Sequence, residues 1–156
     1  MTPEQIFSLA NLIAAAAWLV LILLGRKYWV HSVVIGAILP LLFAVLYTGL
    51  IIAHWGRAEG GFGTLPEVQA LFSNQWLLLA GWVHYLAFDL FVGCWEVRYA
   101  QKHDIPHWAI VPNLILTFLF PPSGLLLYFL IRTFKVRKLS LNFGDRPAIA
   151  ETSKFG

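Results

Sequence analysis

Asp89 stands inside a long apolar run, residues 75–97, where a carboxylate is expensive. If that run crosses a bilayer, an ionised Asp near its centre costs ~2.5–3.5 kcal/mol on insertion scales. A chain that keeps such a group pairs it or uses it. Asp89 can serve as a general acid or base. Equally, it can tie helices together by hydrogen bonding to Asn11, Asn113 or Thr117. His84, near the middle of the same run, can be an acid, a base, a metal ligand or an interhelical link. Five residues on an ideal helix put the two about 140° apart. His84 therefore shares a face with Phe88, Phe91 and Trp95, and Asp89 shares one with Trp82, Tyr85, Gly93 and Glu96. The pair makes no dyad along the helix, although it could border one cavity from two edges.

Other polar residues read more blandly. Glu96 and Arg98 sit where the run closes and are expected as solvated helix-end charges. Asn11 and Asn113 are single amides in apolar runs, suited to packing links or to ligand contact. His103 and His107 have metal-like spacing beside Asp104, but Ile105-Pro106 between them disfavours the aligning helix, so surface histidines and no metal are expected. The lone Cys94 reads as a small packing residue. No phosphate loop, dinucleotide fingerprint or zinc-protease motif is present.

The elements that must carry these groups are membrane helices. Of 156 residues, 59% are hydrophobic and only 12% charged, against roughly 25% charged in soluble domains. A span needs ~20 apolar residues. Four segments qualify: 6–24, 32–53, 75–97 and 108–131. Trp and Tyr gather at their ends, at Tyr28, Trp29, Trp55, Trp76, Trp95, Trp108 and Tyr128, as an interfacial belt does. The expected fold is an all-α integral membrane bundle of four transmembrane helices over residues 1–132. Its fourth helix is kinked or broken at Pro121-Pro122, and Pro40 gives a milder kink in the second. Residues 67–73 read as a short interfacial helix, and residues 133–156 as a basic, disordered tail.

Four spans put both termini on one side. Arg57, Arg132, Lys135, Arg137, Lys138 and Arg146 fall on that side, against Arg26, Lys27, Arg98 and Lys102 on the other. The bias favours cytoplasmic termini in a bacterial plasma membrane. The first run follows Glu4 and lacks a basic n-region, so it reads as a retained helix. The net charge of +3 comes from residues at helix ends, which suits anionic headgroups and not nucleic acid.

The run Trp82-Val83-His84-Tyr85-Leu86-Ala87-Phe88-Asp89-Leu90-Phe91-Val92-Gly93 carries a further signal, together with Ile105-Pro106-His107 and the stretch from Leu116 through Pro121-Pro122-Ser123-Gly124 to Tyr128. These segments resemble the neoxanthin-synthase-like family, named for abscisic-acid deficiency in plants. The resemblance covers roughly residues 5–132, and its most specific element is W-x-H-x-x-x-x-D-L-F. It implies four membrane helices acting on carotenoids. In plant members the conversion is that of the epoxide violaxanthin to the allene neoxanthin, an isomerisation that requires no redox cofactor. Such chemistry needs an acid near the epoxide oxygen and a base near a ring-adjacent C–H. Carried onto this chain, the candidates are Asp89 and His84. Phe88, Phe91 and Trp95 could lie along a polyene, or simply pack. Trp82, Tyr85, Asn11 and Asn113 complete the candidate substrate contacts.

Three readings follow. The first is a membrane-embedded protein that modifies or binds a carotenoid or isoprenoid lipid. The second is a non-enzymatic accessory to a membrane protein partner. The third is a small transporter, which would need a homo-oligomer because four helices without an internal repeat make a poor pore.

Overall fold

The computed structural model describes residues 1–136, which form six α-helices and no strands. Helix α1 spans Pro3–Leu24. Thr2 starts it with a capping box: its Oγ1 accepts from the Gln5 N–H, and the Gln5 side chain accepts from the Thr2 N–H. A π-helical stretch, Trp29–Ile38, runs directly into α2, Leu39–His54, and ends in a 3-10 turn, Trp55–Arg57. Pro40 accounts for the wide turns before it. It has no N–H and its ring crowds the carbonyl four residues back. The Leu39 N–H bonds to Val34, five residues back, so the ladder changes register just ahead of the proline.

Helix α3, Leu65–Ser73, is the expected short helix, capped by the Thr64 hydroxyl. The Asn74 Oδ1 accepts from the Trp76 and Leu77 N–H groups and so starts α4, Gln75–Lys102. Helix α4 is the axis of the molecule. Helix α1 lies parallel to it, because Trp82 bonds Asn11 and Asp89 bonds Trp18 at the same sequence offset. Helix α2 lies antiparallel on another face, with Tyr47 against His84 near one end and Gly36 close to Cys94 near the other. Cys94 is buried there as a packing residue.

The expected fourth span is two helices. Helix α5 covers His107–Leu119 and α6 covers Pro121–Val136. At about 20 Å and 24 Å, both are shorter than a span. Between them Phe120 leaves the helical region at φ −143°, ψ 76°. The two prolines then occupy the first positions of α6, where a missing N–H costs nothing. The Phe120 carbonyl accepts from the Ser123 and Gly124 N–H groups at 2.9 Å each. The chain folds back at this point: Gly124 lies against the backbone of Thr117, seven residues earlier, and a Cβ there would overlap it. In one continuous helix those residues would be about 10 Å apart.

Helix α5 descends antiparallel to α1, with His107 at the Ile22 carbonyl and Phe118 on the Trp18 ring. Helix α6 returns parallel to α4, with Tyr128 at Glu96 and Arg132 at Tyr99. The hairpin thus enters from the Lys102 end and turns at the level of Asp89. This replaces the expectation of four spans with three membrane-length helices, at Pro3–Leu24, Trp29–Arg57 and Gln75–Lys102, plus a hairpin. Helix α1 begins at the Gln75 end of α4 and α6 finishes at the Lys102 end, so the two do not share a side. Hydropathy missed the turn because the residues on both sides of Phe120 are equally apolar. Helix α6 also runs through Val136, past the boundary expected at residue 132; the rest of the expected tail lies outside the described residues.

Leu12 on α1 and Leu41, Val45 and Ile52 on α2 point outward and are exposed. An apolar shell of this kind suits lipid and not water. In a Cys94→Ala background, single cysteines at Lys102 and at Thr133 should react with an impermeant maleimide from the same face of sealed vesicles. Labelling from opposite faces would restore a complete fourth span.

Candidate functional site

The site forms where α4 meets α1 and the α5–α6 hairpin. Asp89 is 2% exposed. The Trp18 Nε1–H donates to its Oδ2 at 3.0 Å, while Oδ1 is buried with no hydrogen-bond partner among the described residues. Gly93, one turn further along α4, makes room for Trp18: a Cβ there would strike the indole and crowd Leu21. Phe118 covers the indole from the hairpin, with ring centroids 5.5 Å apart. Trp18 is thereby fixed, and with it the one donor to the carboxylate.

Glu96 follows Asp89 by seven residues, which returns to the same face of the helix. It is fully buried, and the Thr117 Oγ1 lies 3.1 Å from each of its carboxylate oxygens. Asn113, one turn before Thr117 on α5, is 1% exposed. Its side-chain amide faces the Glu96 carboxylate. The Tyr128 hydroxyl donates to the Glu96 backbone carbonyl at 2.9 Å. Arg132 donates from Nε to the Tyr99 hydroxyl, with its guanidinium 4.5 Å from the Tyr99 ring centroid. The groups that reach the two carboxylates, Trp18 at Asp89 and Thr117 and Asn113 at Glu96, are neutral. Buried polar groups are ordinarily paired. Asp89 Oδ1 is an exception among the described residues, and it belongs to this site.

The residues singled out in the sequence divide among four places. Asp89 and Asn113 lie in the carboxylate site. Asn11, Trp82 and Tyr85 lie together on the α1–α4 face: Trp82 Nε1–H donates to Asn11 Oδ1 at 2.8 Å and the indole stacks on Tyr85. Tyr85, one turn before Asp89, is within electrostatic reach of its carboxylate. His84, Phe88 and Phe91 lie on the α2–α4 face, with His84 packed at a tilt between Tyr47 and Phe88. Trp95 packs against Tyr128 and Phe129 where the hairpin docks. His84 and Asp89 therefore border no common cavity; the body of α4 separates them, as the 140° between them requires. Phe88, Phe91 and Trp95 likewise do not form one continuous aromatic surface.

Glu96 was expected as a solvated end charge. It is buried because α4 continues to Lys102 and the hairpin closes over it, so the apolar run underestimates the helix. The usable signal was the seven-residue spacing from Asp89. Thr117 was expected as a possible partner of Asp89 and bonds Glu96 instead, while Trp18 carried no signal, since it gains its role from a partner on another helix. His107 is also not a plain surface residue. It donates from Nε2 to the Ile22 carbonyl at 2.7 Å, while His31 and Gln101 donate to the Gly25 carbonyl. Together they satisfy the carbonyls at the end of α1. Among the described residues no three His, Cys, Asp or Glu side chains come together as a metal-binding group.

An all-helical bundle with three membrane-length helices and two carboxylates sealed on one helix face is a polytopic membrane protein with an interior polar site. The chain belongs to the ABA DEFICIENT 4-like family, whose model matches residues 5–128. No match is found among curated proteins or among solved structures.

Trp18→Phe removes the donor to a buried carboxylate and should destabilise the protein by ~1–3 kcal/mol. Trp108→Phe, at a ring 77% exposed, should change stability by less than ~0.5 kcal/mol. Denaturation in mixed micelles followed by circular dichroism measures both.

Proposed function

We propose that the protein acts on or binds a carotenoid or related isoprenoid lipid, with Asp89 as its acid–base group. The observation that carries this reading is the Asp89 Oδ1 atom, buried in an apolar interior with no hydrogen-bond partner among the described residues. A carboxylate so placed can give or take a proton without competition from solvent. Family membership supports the substrate class, because the resemblance implies an isomerisation in which one proton is added at an epoxide oxygen and one is lost from carbon. Glu96, held by Thr117, is the companion carboxylate on the same face. The Asn11, Trp82 and Tyr85 cluster lies on the α1–α4 face, one turn before Asp89 along α4.

The hairpin also bears on orientation and argues against the expectation of two cytoplasmic termini. Arg26, Lys27, Arg98 and Lys102 share the Lys102 end with the end of α6, where Arg132 and Lys135 lie and Arg137 and Lys138 follow in sequence. Arg57 is left at the opposite end with Glu4, Glu59 and Glu67. The positive-inside rule then puts the Lys102 end in the cytoplasm of a bacterial plasma membrane and the N-terminus outside. A fluorescent protein fused after Gly156 should fluoresce in cells and one fused before Met1 should not. The reverse pattern would overturn this orientation.

In a host that makes epoxidised carotenoids, Asp89→Asn should lower pigment conversion by ~10²–10⁴-fold while the protein still inserts and purifies. Trp108→Phe should convert as wild type does. Full conversion by Asp89→Asn would remove Asp89 from the chemistry.

A further inference from the structure

His84 belongs to the motif that marks the family, yet it lies across α4 from the carboxylates. Its surroundings have their own chemistry. The residue is nine positions, about 13 Å, from the start of α4, and its ring is exposed on the outer surface. It contacts the rings of Tyr47 at 5.4 Å and Phe88 at 4.6 Å, centroid to centroid. Among the described residues, neither the imidazole nor the Tyr47 hydroxyl has a hydrogen-bond partner. Facing lipid, two such groups side by side are costly unless something bonds to them.

They line one of two hollows on this face, and Phe88, which His84 touches, lines the other. One, of about 280 Å³, lies toward the Gln75 end and is walled by Trp55, Phe62 and Phe72 with Gly81 at its base. Gly81 lets Phe72 pack closely there; a Cβ would come within 2.9 Å of the ring and push it aside. The other hollow, of about 440 Å³, runs along the π-helical stretch and α2, past Pro40 and Ala44, and is closed by Phe88 and Phe91. No charged side chain lines either hollow. Along α4 they extend from Leu77 to Phe91, about 21 Å.

We propose that this face of α4 is a second lipid site, separate from Asp89, that takes a neutral isoprenoid bearing a hydroxyl group on its end. The absence of lining charge rejects a phospholipid headgroup. The aromatic hollow takes a ring or branched end, and the long hollow takes the apolar chain. His84 and Tyr47 bond the hydroxyl between them. The isoprenoid class rests on the functional reading above; the hydroxyl requirement rests on His84 and Tyr47 alone.

The test uses the full chain in nanodiscs with zeaxanthin and its unhydroxylated counterpart β-carotene, binding being read from the pigment absorbance shift. Wild type should bind zeaxanthin about tenfold more tightly. His84→Leu and Tyr47→Phe should each reduce that preference at least threefold, and Leu12→Ala on the outer face of α1 should not. If His84→Leu fails to fold, Tyr47→Phe carries the test. Equal binding of the two pigments by wild type, or a preference that survives both substitutions, overturns the proposal and leaves the isoprenoid reading standing. Binding of neither pigment overturns both.

Discussion

Thr117 bonding to Glu96 inside the bundle is the contact on which the rest of the arrangement depends. A buried carboxylate on a membrane-length helix needs a donor, and no residue of α4 supplies one to Glu96. The donor arrives on α5, which must stop soon after Thr117 for α6 to return along α4. Phe120, two prolines and Gly124 make that stop possible: the prolines begin a new helix where they lose no bond, and the glycine lets the two helices touch. Tyr128 and Arg132 then fasten the returning helix to Glu96 and Tyr99.

The same logic fixes Asp89. Its donor is Trp18 on α1, and Trp18 fits only because Gly93 leaves space on one side and Phe118 at the hairpin tip closes the other. The two carboxylates are thus held by different helices and coupled through one hairpin. A change at the tip reaches both: it moves Thr117 directly and uncovers the indole that serves Asp89. Low local dielectric makes such a network costly to leave half satisfied, and Asp89 Oδ1 is the carboxylate oxygen it leaves without a partner among the described residues.

Helix α4 serves two faces at once. The carboxylates look toward α1 and the hairpin, and His84 looks toward α2. A motif whose histidine and aspartate stand five positions apart on an α-helix sends the two side chains to different neighbours, through a step of about 140°. That the two residues face different neighbours follows from helix geometry alone.

Much of this was legible without coordinates. Composition and run length required membrane helices; Asp89 stood out by the cost of its position; and the angle between His84 and Asp89 spoke against a dyad. Pro121-Pro122 marked a break. What remained was decided by contacts between distant segments. Whether a proline pair bends a helix or reverses it depends on what packs beside it, and here Gly124 against Thr117 settles a reversal. The burial of Glu96 depends on that reversal, because an acidic residue near the end of an apolar run is solvated unless another element covers it. Asp89 could be singled out as the unusual carboxylate from the sequence because its cost arises within one helix. Its partner Trp18, and the sealed oxygen left beside that hydrogen bond, exist only once α1, α4 and the hairpin tip are brought together.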